Sequence, residues 1–537
     1  MSTPPLRAPA AVGAVHPAVL DRRVRDLLLI GLTGLIPAVI GLGIIVAMPQ
    51  ASASDAALVI GGILALMGIG ALVASSNYVV TVTLLALYLG LLDGPVKLGL
   101  PTGEFGHAAV NVLVLAVCAG AVMRLVGSGE PIKLPPLFGW VLAFFITVAI
   151  EAFNPKTEGI LKVIGGFRQQ LEWVPFFFFG YLLMRSKKRF RQFFLIVGAC
   201  ALANAFVASY QTAISPSQLA SWGPGYRTLY QPQSEGGSAG HARVYASEGE
   251  ARARPVGLGS DSGFSGGVGL LALPFCLALL ATWRSRRRWI VVVLALGALV
   301  GVATGLGRLQ VIGAALGVIA FLAFAAVGGR SLKRPLAALG LVAALAVPFG
   351  ALFLTVVRSG TFSRYSTFEN SSAASIATHK SKAYELIPHE LAVTPFGVGL
   401  GTVGAVGGFG GHVQNQINGH EASAETQYNF VVDELGGPGL AVWVALSLYI
   451  VVFVGRGIRR VRDNDLAIML AAFFAPFAAL IITGFSGPFM TSSAHGPYFW
   501  FAIGTAAYWF AGPGRKALRS NGRSSSSTVA APRQVAV

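Results

Sequence analysis

Long apolar runs, separated by short polar or basic connections, fill the chain from Leu27 to Ala511. A helix needs roughly 20 mostly apolar residues to cross about 30 Å of hydrocarbon, so runs of that length predict membrane spans. The pattern predicts about fourteen of them: 27–48, 56–74, 77–92, 108–126, 137–153, 171–184, 192–212, 262–282, 289–304, 308–328, 335–357, 434–455, 466–485 and 496–511. The expected fold is all-α, a polytopic transmembrane helical bundle with two large extracytoplasmic loops, at about 213–261 and 358–433. Residues 1–26 and the basic segment 512–537 are expected to be disordered cytoplasmic tails, rich in Pro, Ala, Ser and charge. The first run follows Asp21-Arg22-Arg23-Val24-Arg25-Asp26 and lacks a small-residue cleavage site, so it reads as a retained helix and not a signal peptide.

Lysine and arginine gather in alternate connections, and positive flanks stay in the cytoplasm. The clusters are Arg22–Arg25, Arg124 with Lys133, Arg185–Arg189, Arg284–Arg288, Arg330–Arg334, Arg456–Arg462 and Arg515–Arg519. Every second connection is therefore expected inside, with both termini cytoplasmic and the two long loops outside.

Composition narrows the class. With 54% hydrophobic and 12% charged residues, the chain offers more apolar surface than a water-soluble domain buries. The net charge of +18 does not read as a nucleic-acid footprint, because the cations fall in short clusters between apolar runs. Cys118, Cys200 and Cys276 all lie inside apolar runs, which suits small hydrophobes better than a disulfide framework.

The candidate chemistry sits in the outer loops and at their membrane edges. Arg227, Arg243, Arg252, Arg254, Arg358, Arg364, Lys380 and Lys382 stand on the side where cations are normally sparse. Either an anionic partner draws them there, or they pair with Glu235, Glu248, Glu250, Glu369 and Glu385. Arg308 ends the short connection Thr304-Gly305-Leu306-Gly307-Arg308, at the head-group layer, where a guanidinium fork suits bidentate phosphate binding or snorkelling to ordinary phospholipid. Arg252 and Arg254 approach the same surface just before an apolar helix.

The second loop carries an amphipathic stretch within Ser371–Val393, interrupted by Pro388, then the glycine-rich Thr394-Pro395-Phe396-Gly397-Val398-Gly399-Leu400-Gly401. A polar cluster follows: His412, His420, Glu421, Glu425, Gln427, Tyr428, Asn429, Asp433 and Glu434. Glu425 and Asn429, four apart, would share a helix face with Tyr428 beside them, and Glu425 or His420 could take a proton from an attacking hydroxyl. The alternative is a hydrated helix start. Metal ligation by His412, His420 and Glu421 lacks tight spacing, and no cofactor motif is present. Asp463-Asn464-Asp465 reads as a turn and helix start, with no nucleotide-binding domain beside it.

Several of these segments, in order from Phe190 to Ala511, resemble the O-antigen ligase and polymerase superfamily of membrane glycosyltransferases. The segments are Arg254-Pro255-Val256-Gly257 before an apolar helix, Thr304–Leu309, Pro395–Gly401 and Glu425–Gly436. The resemblance makes 190–511 the glycosyltransferase-like membrane domain and 27–189 a set of preceding helices, about two more than the family's usual count. It implies a polyprenyl (undecaprenyl) diphosphate-linked glycan as donor, and a glycan or lipid-anchored acceptor. It also implies membrane lipids and polysaccharide-assembly machinery as partners, no nucleic acid, and no metal or other cofactor. Arg308 with Arg254 and Arg252 would stabilise the diphosphate leaving group, Glu425 or His420 would activate the acceptor, and Arg227, Arg364, Lys380, Tyr428 and Asn429 would contact substrate. Gly307 replaces the small polar residue of the ligase pattern, and Glu425 stands where the ligases carry histidine, an acidic residue that looks more like the polymerase branch.

The expected function is transfer of a glycan to a sugar hydroxyl at the outer face of a bacterial cytoplasmic membrane, in exopolysaccharide or O-antigen polymerisation. Ligase-type transfer to a different anchor is the near alternative. A transporter or flippase for an anionic lipid or glycan is the alternative of another class, and would call for ionisable residues and broken helices near the bilayer midplane.

Overall fold

The computed structural model describes residues 78–99, 134–157, 159–230, 244–247, 250–356, 362, 365, 384–403, 416–417, 420–421 and 426–519. The spans expected at 27–48, 56–74 and 108–126 lie outside these residues, as do Arg364, Lys380, His412 and Glu425. The chain divides into two compact units. One comprises 1–81, 116–129 and 527–537, and apart from Tyr78–Thr81 it lies outside the described residues. The other, 82–115 with 130–526, carries everything that follows apart from the first four residues of the first helix.

The described chain is helical. Its helices are α1 (Tyr78–Leu91), α2 (Phe138–Glu151), α3 (Ile160–Leu171), α4 (Phe176–Leu183), α5 (Lys187–Ala213), α6 (Pro216–Ala220), α7 (Pro224–Tyr230), α8 (Phe264–Thr282), α9 (Arg288–Thr304), α10 (Arg308–Val327) and α11 (Lys333–Val356). They continue with α12 (384–393), α13 (Gln427–Arg459), α14 (Asn464–Thr483), α15 (His495–Ala506) and α16 (Gly514–Arg519). π-Helical turns cover Pro95–Gly99 and Ala507–Ala511. Two small antiparallel hairpins interrupt the pattern: β1 (Val244–Ser247) with β2 (Glu250–Ala253), and β3 (Gln416–Ile417) with β4 (His420–Glu421).

Among the described residues six helices are long and apolar enough to cross a membrane: α5, α8, α10, α11 from Lys333 to Ala351, α13 and α14. Helix α8 forms the centre, with every residue from Phe264 to Thr282 buried against α5, α9, α10 and α14. The outer helices turn large apolar side chains outward, among them Phe206, Val293, Ile319 and Leu448, as a bundle solvated by lipid does.

The helix expected over 171–184 begins later, at Phe176, and is preceded by α3, which no apolar run predicted. Helix α3 ends at Leu171, a turn carries Glu172 to Pro175, and α4 has eight residues. Pro175 supplies no backbone donor, so it ends one helix and suits the start of the next. Helix α4 packs backbone to backbone on α15. A Cβ on Gly180 would run into the Phe501 carbonyl, and one on Gly504 into the Phe177 carbonyl, so small residues set the spacing.

Helix α13 starts at Gln427, seven residues before the expected 434, with Thr426 as its N-cap accepting from the Asn429 amide. It is broken at Gly436, where φ is +60° and ψ −159°, and 437–459 runs on as a full-length span. Asp463 caps α14 through the Leu466 amide, so the acidic triplet is a helix start, as the sequence suggested.

The helices alternate in direction between two ends. At one end the basic connections meet: Lys187 pairs with Asp463 at 2.6 Å, Arg334 approaches Asp465 at 3.9 Å, and Arg330 donates to the Arg462 carbonyl. The other end gathers the turns and loops that hold the candidate chemistry.

Candidate functional site at the loop end

The segment from Gly484 to Gly496, running from the end of α14 into the first turn of α15, ties four parts of the loop end together. Gly487 packs on the Leu309 side chain, next to Arg308. Gln427 Oε1 accepts from the amides of Phe489 and Met490, both at 3.0 Å, while the Gln427 amide donates to the Gly484 carbonyl. Ser493 Oγ donates to Asp93 Oδ2 at 3.0 Å. Gly496, at the start of α15, packs closely on the Trp173 indole, next to Glu172.

Asp93 is fully buried and holds a network of its own. Ser260 donates to the same Oδ2 at 3.0 Å, and the Lys97 ammonium sits 2.8 Å from Oδ1, its side chain 12% exposed. Arg168 and Glu172 complete the cluster. Burial pushes the Glu172 carboxyl up to about 7, against the lowering pull of Arg168 and Lys97, with Asp93 adding to the rise. A carboxyl poised there can hold or release a proton near neutrality.

The turn Pro255–Gly263 links this network to the arginines. Gln211 clamps it from α5, its Oε1 accepting from Val256 and Gly257 and its Nε2 donating to the Gly257 carbonyl. Asn204 does the same one level down, accepting from Leu258 and donating to the Gly90 carbonyl at 2.7 Å. Before the turn, the Arg254 carbonyl accepts from the buried Tyr230 hydroxyl at 2.6 Å, Arg252 is buried and Arg254 half-buried. After it, Gly263 and Gly266 pack on Gln310, two residues beyond Arg308. Arg308 opens α10, following Leu306 in a left-handed conformation at φ +48°. The structure thus puts the Arg308 turn beside the segment that follows Arg252 and Arg254, and beside the start of α13.

The glycine-rich segment has a geometric cause. Gly397, Gly399 and Gly401 have φ of +81°, +90° and +69°, and a Cβ on them would meet, in order, the backbone of Glu434, Thr157 and the Lys162 carbonyl. Only glycine lets this loop lie on both α3 and the break in α13. The Val398 amide donates to the Asp433 carbonyl at 2.7 Å and the Gly437 amide to the Pro395 carbonyl at 2.8 Å. Inside this wrap, fully buried Glu434 accepts from Gln170 at 2.8 Å and from Gln169 at 3.2 Å. Glu390 of α12 lies against Asp433, and burial raises its carboxyl, against the lowering effects of Asp433 and His389.

The remaining expected residues are placed as follows. Tyr428 and Asn429 are buried: Tyr428 donates to the Ile481 carbonyl and packs on Phe485, and Asn429 accepts from the Thr426 hydroxyl at 2.6 Å. The helix begins at Gln427 and Asn429 serves its cap, while Glu425, with which it was expected to share a helix face, lies outside the described residues. His420 pairs with Ile417 in the short β3–β4 hairpin. Arg227 is exposed on α7, away from Tyr226 and Tyr230, which pack into the cluster with Leu98 and Val256.

Sequence reasoning singled out neither Asp93, Lys97, Arg168 nor Glu172. Their signal was present as charges at the ends of apolar runs, and as the polar pair Gln169-Gln170 beside Glu172. Among the described residues, no three His, Cys, Asp or Glu side chains are grouped to hold a metal ion. No protein-family profile matches the chain, and no curated protein or solved structure is significantly similar to it.

Proposed function

We propose that this chain is a membrane glycosyltransferase of the polysaccharide-polymerase kind, moving a glycan from a polyprenyl diphosphate to a sugar hydroxyl at the outer face of a bacterial cytoplasmic membrane. The reading takes the loop end as outer and the basic end as cytoplasmic, with both termini inside and about fourteen spans in the whole chain. The observation that carries it is the Gly484–Gly496 segment, which joins the Arg308 turn to the start of α13 and to the Asp93–Lys97 network. Cations from Arg308, Arg254 and Arg252 then face the leaving diphosphate and stabilise the charge it gains, without a need for ATP. Glu425, two residues before α13 in the chain, takes the acceptor's proton.

Ligase-type transfer would use the same machinery with a different acceptor. The transporter reading draws on the break at Gly436 beside buried Asp433 and Glu434. That break precedes a full-length span, so it sits at an end of the bundle and not at the midplane where transport sites form. Purified protein in nanodiscs, given a polyprenyl-diphosphate-linked oligosaccharide without ATP or divalent metal, is expected to yield longer lipid-linked chains. Absence of product with donors matched to the host glycan, together with lipid crossing the bilayer, would overturn the proposal in favour of transport.

A further inference from the structure

The basic end holds a site that the transfer reaction does not use. A cleft there is lined by Gly457, Arg460, Phe510, Arg515 and Leu518, where the end of α13 meets the π-turn after α15 and helix α16. Its floor is apolar: Phe510 and Leu518 are buried, and Gly457 leaves room for the Phe510 ring to lie directly on the α13 backbone. Its rim is cationic, since Arg460 and Arg515 are both exposed.

Several cations of this end have protein groups to answer them. Lys187 and Arg334 face Asp463 and Asp465, Arg330 donates to a carbonyl, and Arg185 lies over the rings of Tyr181 and Tyr508 at 5.8 and 5.4 Å. Among the described residues Arg460 and Arg515 make no ion pair, and the described basic connections supply no carboxylate beyond Asp463 and Asp465. Two unanswered guanidiniums at the end of a membrane span, over an apolar floor, complement a ligand that is anionic at its head and apolar behind it. The interior measures about 10 Å³, the room of roughly one water. It is too small to take an acyl chain inside, so the apolar part of a ligand lies over the cleft and its phosphate at the mouth, which both arginines line.

We propose that Arg460 and Arg515 form a binding site for the phosphate headgroup of an anionic glycerophospholipid, whose apolar part rests on Phe510 and Leu518. The site holds one lipid of the surrounding bilayer against the joint between α13 and the end of α15, and it does not depend on the identity of the reaction at the opposite end.

The test is native mass spectrometry of the full chain released from nanodiscs of phosphatidylglycerol or of phosphatidylcholine. The wild type is expected to keep a phosphatidylglycerol adduct and not a phosphatidylcholine one. Arg460→Gln with Arg515→Gln is expected to reduce its occupancy about tenfold, and each single variant less. Arg286→Gln with Arg287→Gln, which removes the same charge from another connection of the same end, is expected to leave it unchanged. Equal loss in the control pair would reduce the effect to general charge, and retention in the Arg460 and Arg515 variants would exclude the cleft. Displacement of the adduct by millimolar inorganic phosphate would make free phosphate the ligand and overturn the lipid assignment. The single variants alter exposed side chains and are expected to fold, so they decide the matter if the double variant does not.

Discussion

Ser493 donates a hydrogen bond to Asp93 at 3.0 Å, joining segments 400 residues apart in the chain. Ser260 reaches the same carboxylate oxygen, and Lys97 neutralises the other. Three loops of the candidate site are therefore fixed to one buried carboxylate.

Asp93→Ala is expected to be strongly destabilising. It leaves the Lys97 ammonium buried without its counter-ion and two hydroxyls without an acceptor, a loss of about 3–5 kcal/mol for a buried pair broken on one side. Asp93→Leu combined with Lys97→Met removes both charges and is expected to recover part of that loss. Denaturant titration in detergent micelles measures both, and a single variant as stable as the wild type would contradict the network.

Gly401 and Gly340 predict opposite outcomes for the same change. At Gly401, φ is +69° and an added methyl meets the Lys162 carbonyl, so Gly401→Ala costs at least the roughly 1–2 kcal/mol of a left-handed residue and lifts the loop off α3. At Gly340, inside α11, nothing lies within 4 Å of an added Cβ, and alanine is a better helix former by up to about 1 kcal/mol. Thermal unfolding of the two variants in parallel is expected to show a lower midpoint for the first, and an equal or higher one for the second.

The apolar runs made most of the described helices readable, because lipid demands long uninterrupted spans and charge marks their ends. The expected 289–304 and 308–328 meet the observed Arg288–Thr304 and Arg308–Val327 closely. What the runs did not reveal are the places where a helix continues into protein instead of lipid. Gln427–Leu435 mixes polar and acidic residues with apolar ones, so the apolar run placed the span only from 434 although a helix start was expected nearby; the segment is helical, and the glycine-rich segment and α3 bury it and answer its carboxylate. The break at 172–175 lies inside a run whose Phe176–Phe179 hides it. For the site, Arg308 and the segment after Arg254 were readable as cations at membrane edges. Asp93, Lys97 and Glu172 were not, since their meeting depends on tertiary contacts among segments far apart in the chain.

Glu172 gives the site a pH signature. Its folded value of about 7 lies above the ordinary carboxylate value of 4.5, so the folded protein retains a proton that the unfolded chain has released. This group's contribution therefore favours the fold at low pH and declines as pH rises from about 4.5 to 7, then stays level. Glu172→Gln cannot release the proton, and its stability relative to wild type is expected to rise across that window. Unfolding midpoints measured from pH 4.5 to 8 that run parallel in the two proteins would contradict the assignment.

The central claim is that the Arg308 turn and the entry to α13 act on one substrate. Its most direct measurement is the initial rate of glycan transfer from a polyprenyl-diphosphate-linked oligosaccharide by wild type, Arg308→Ala and Glu425→Gln, each first shown to fold. Removing a transition-state cation or a general base costs on the order of a hundredfold or more, so both variants are expected to fall by at least about that factor. Wild-type turnover in either variant would contradict the claim.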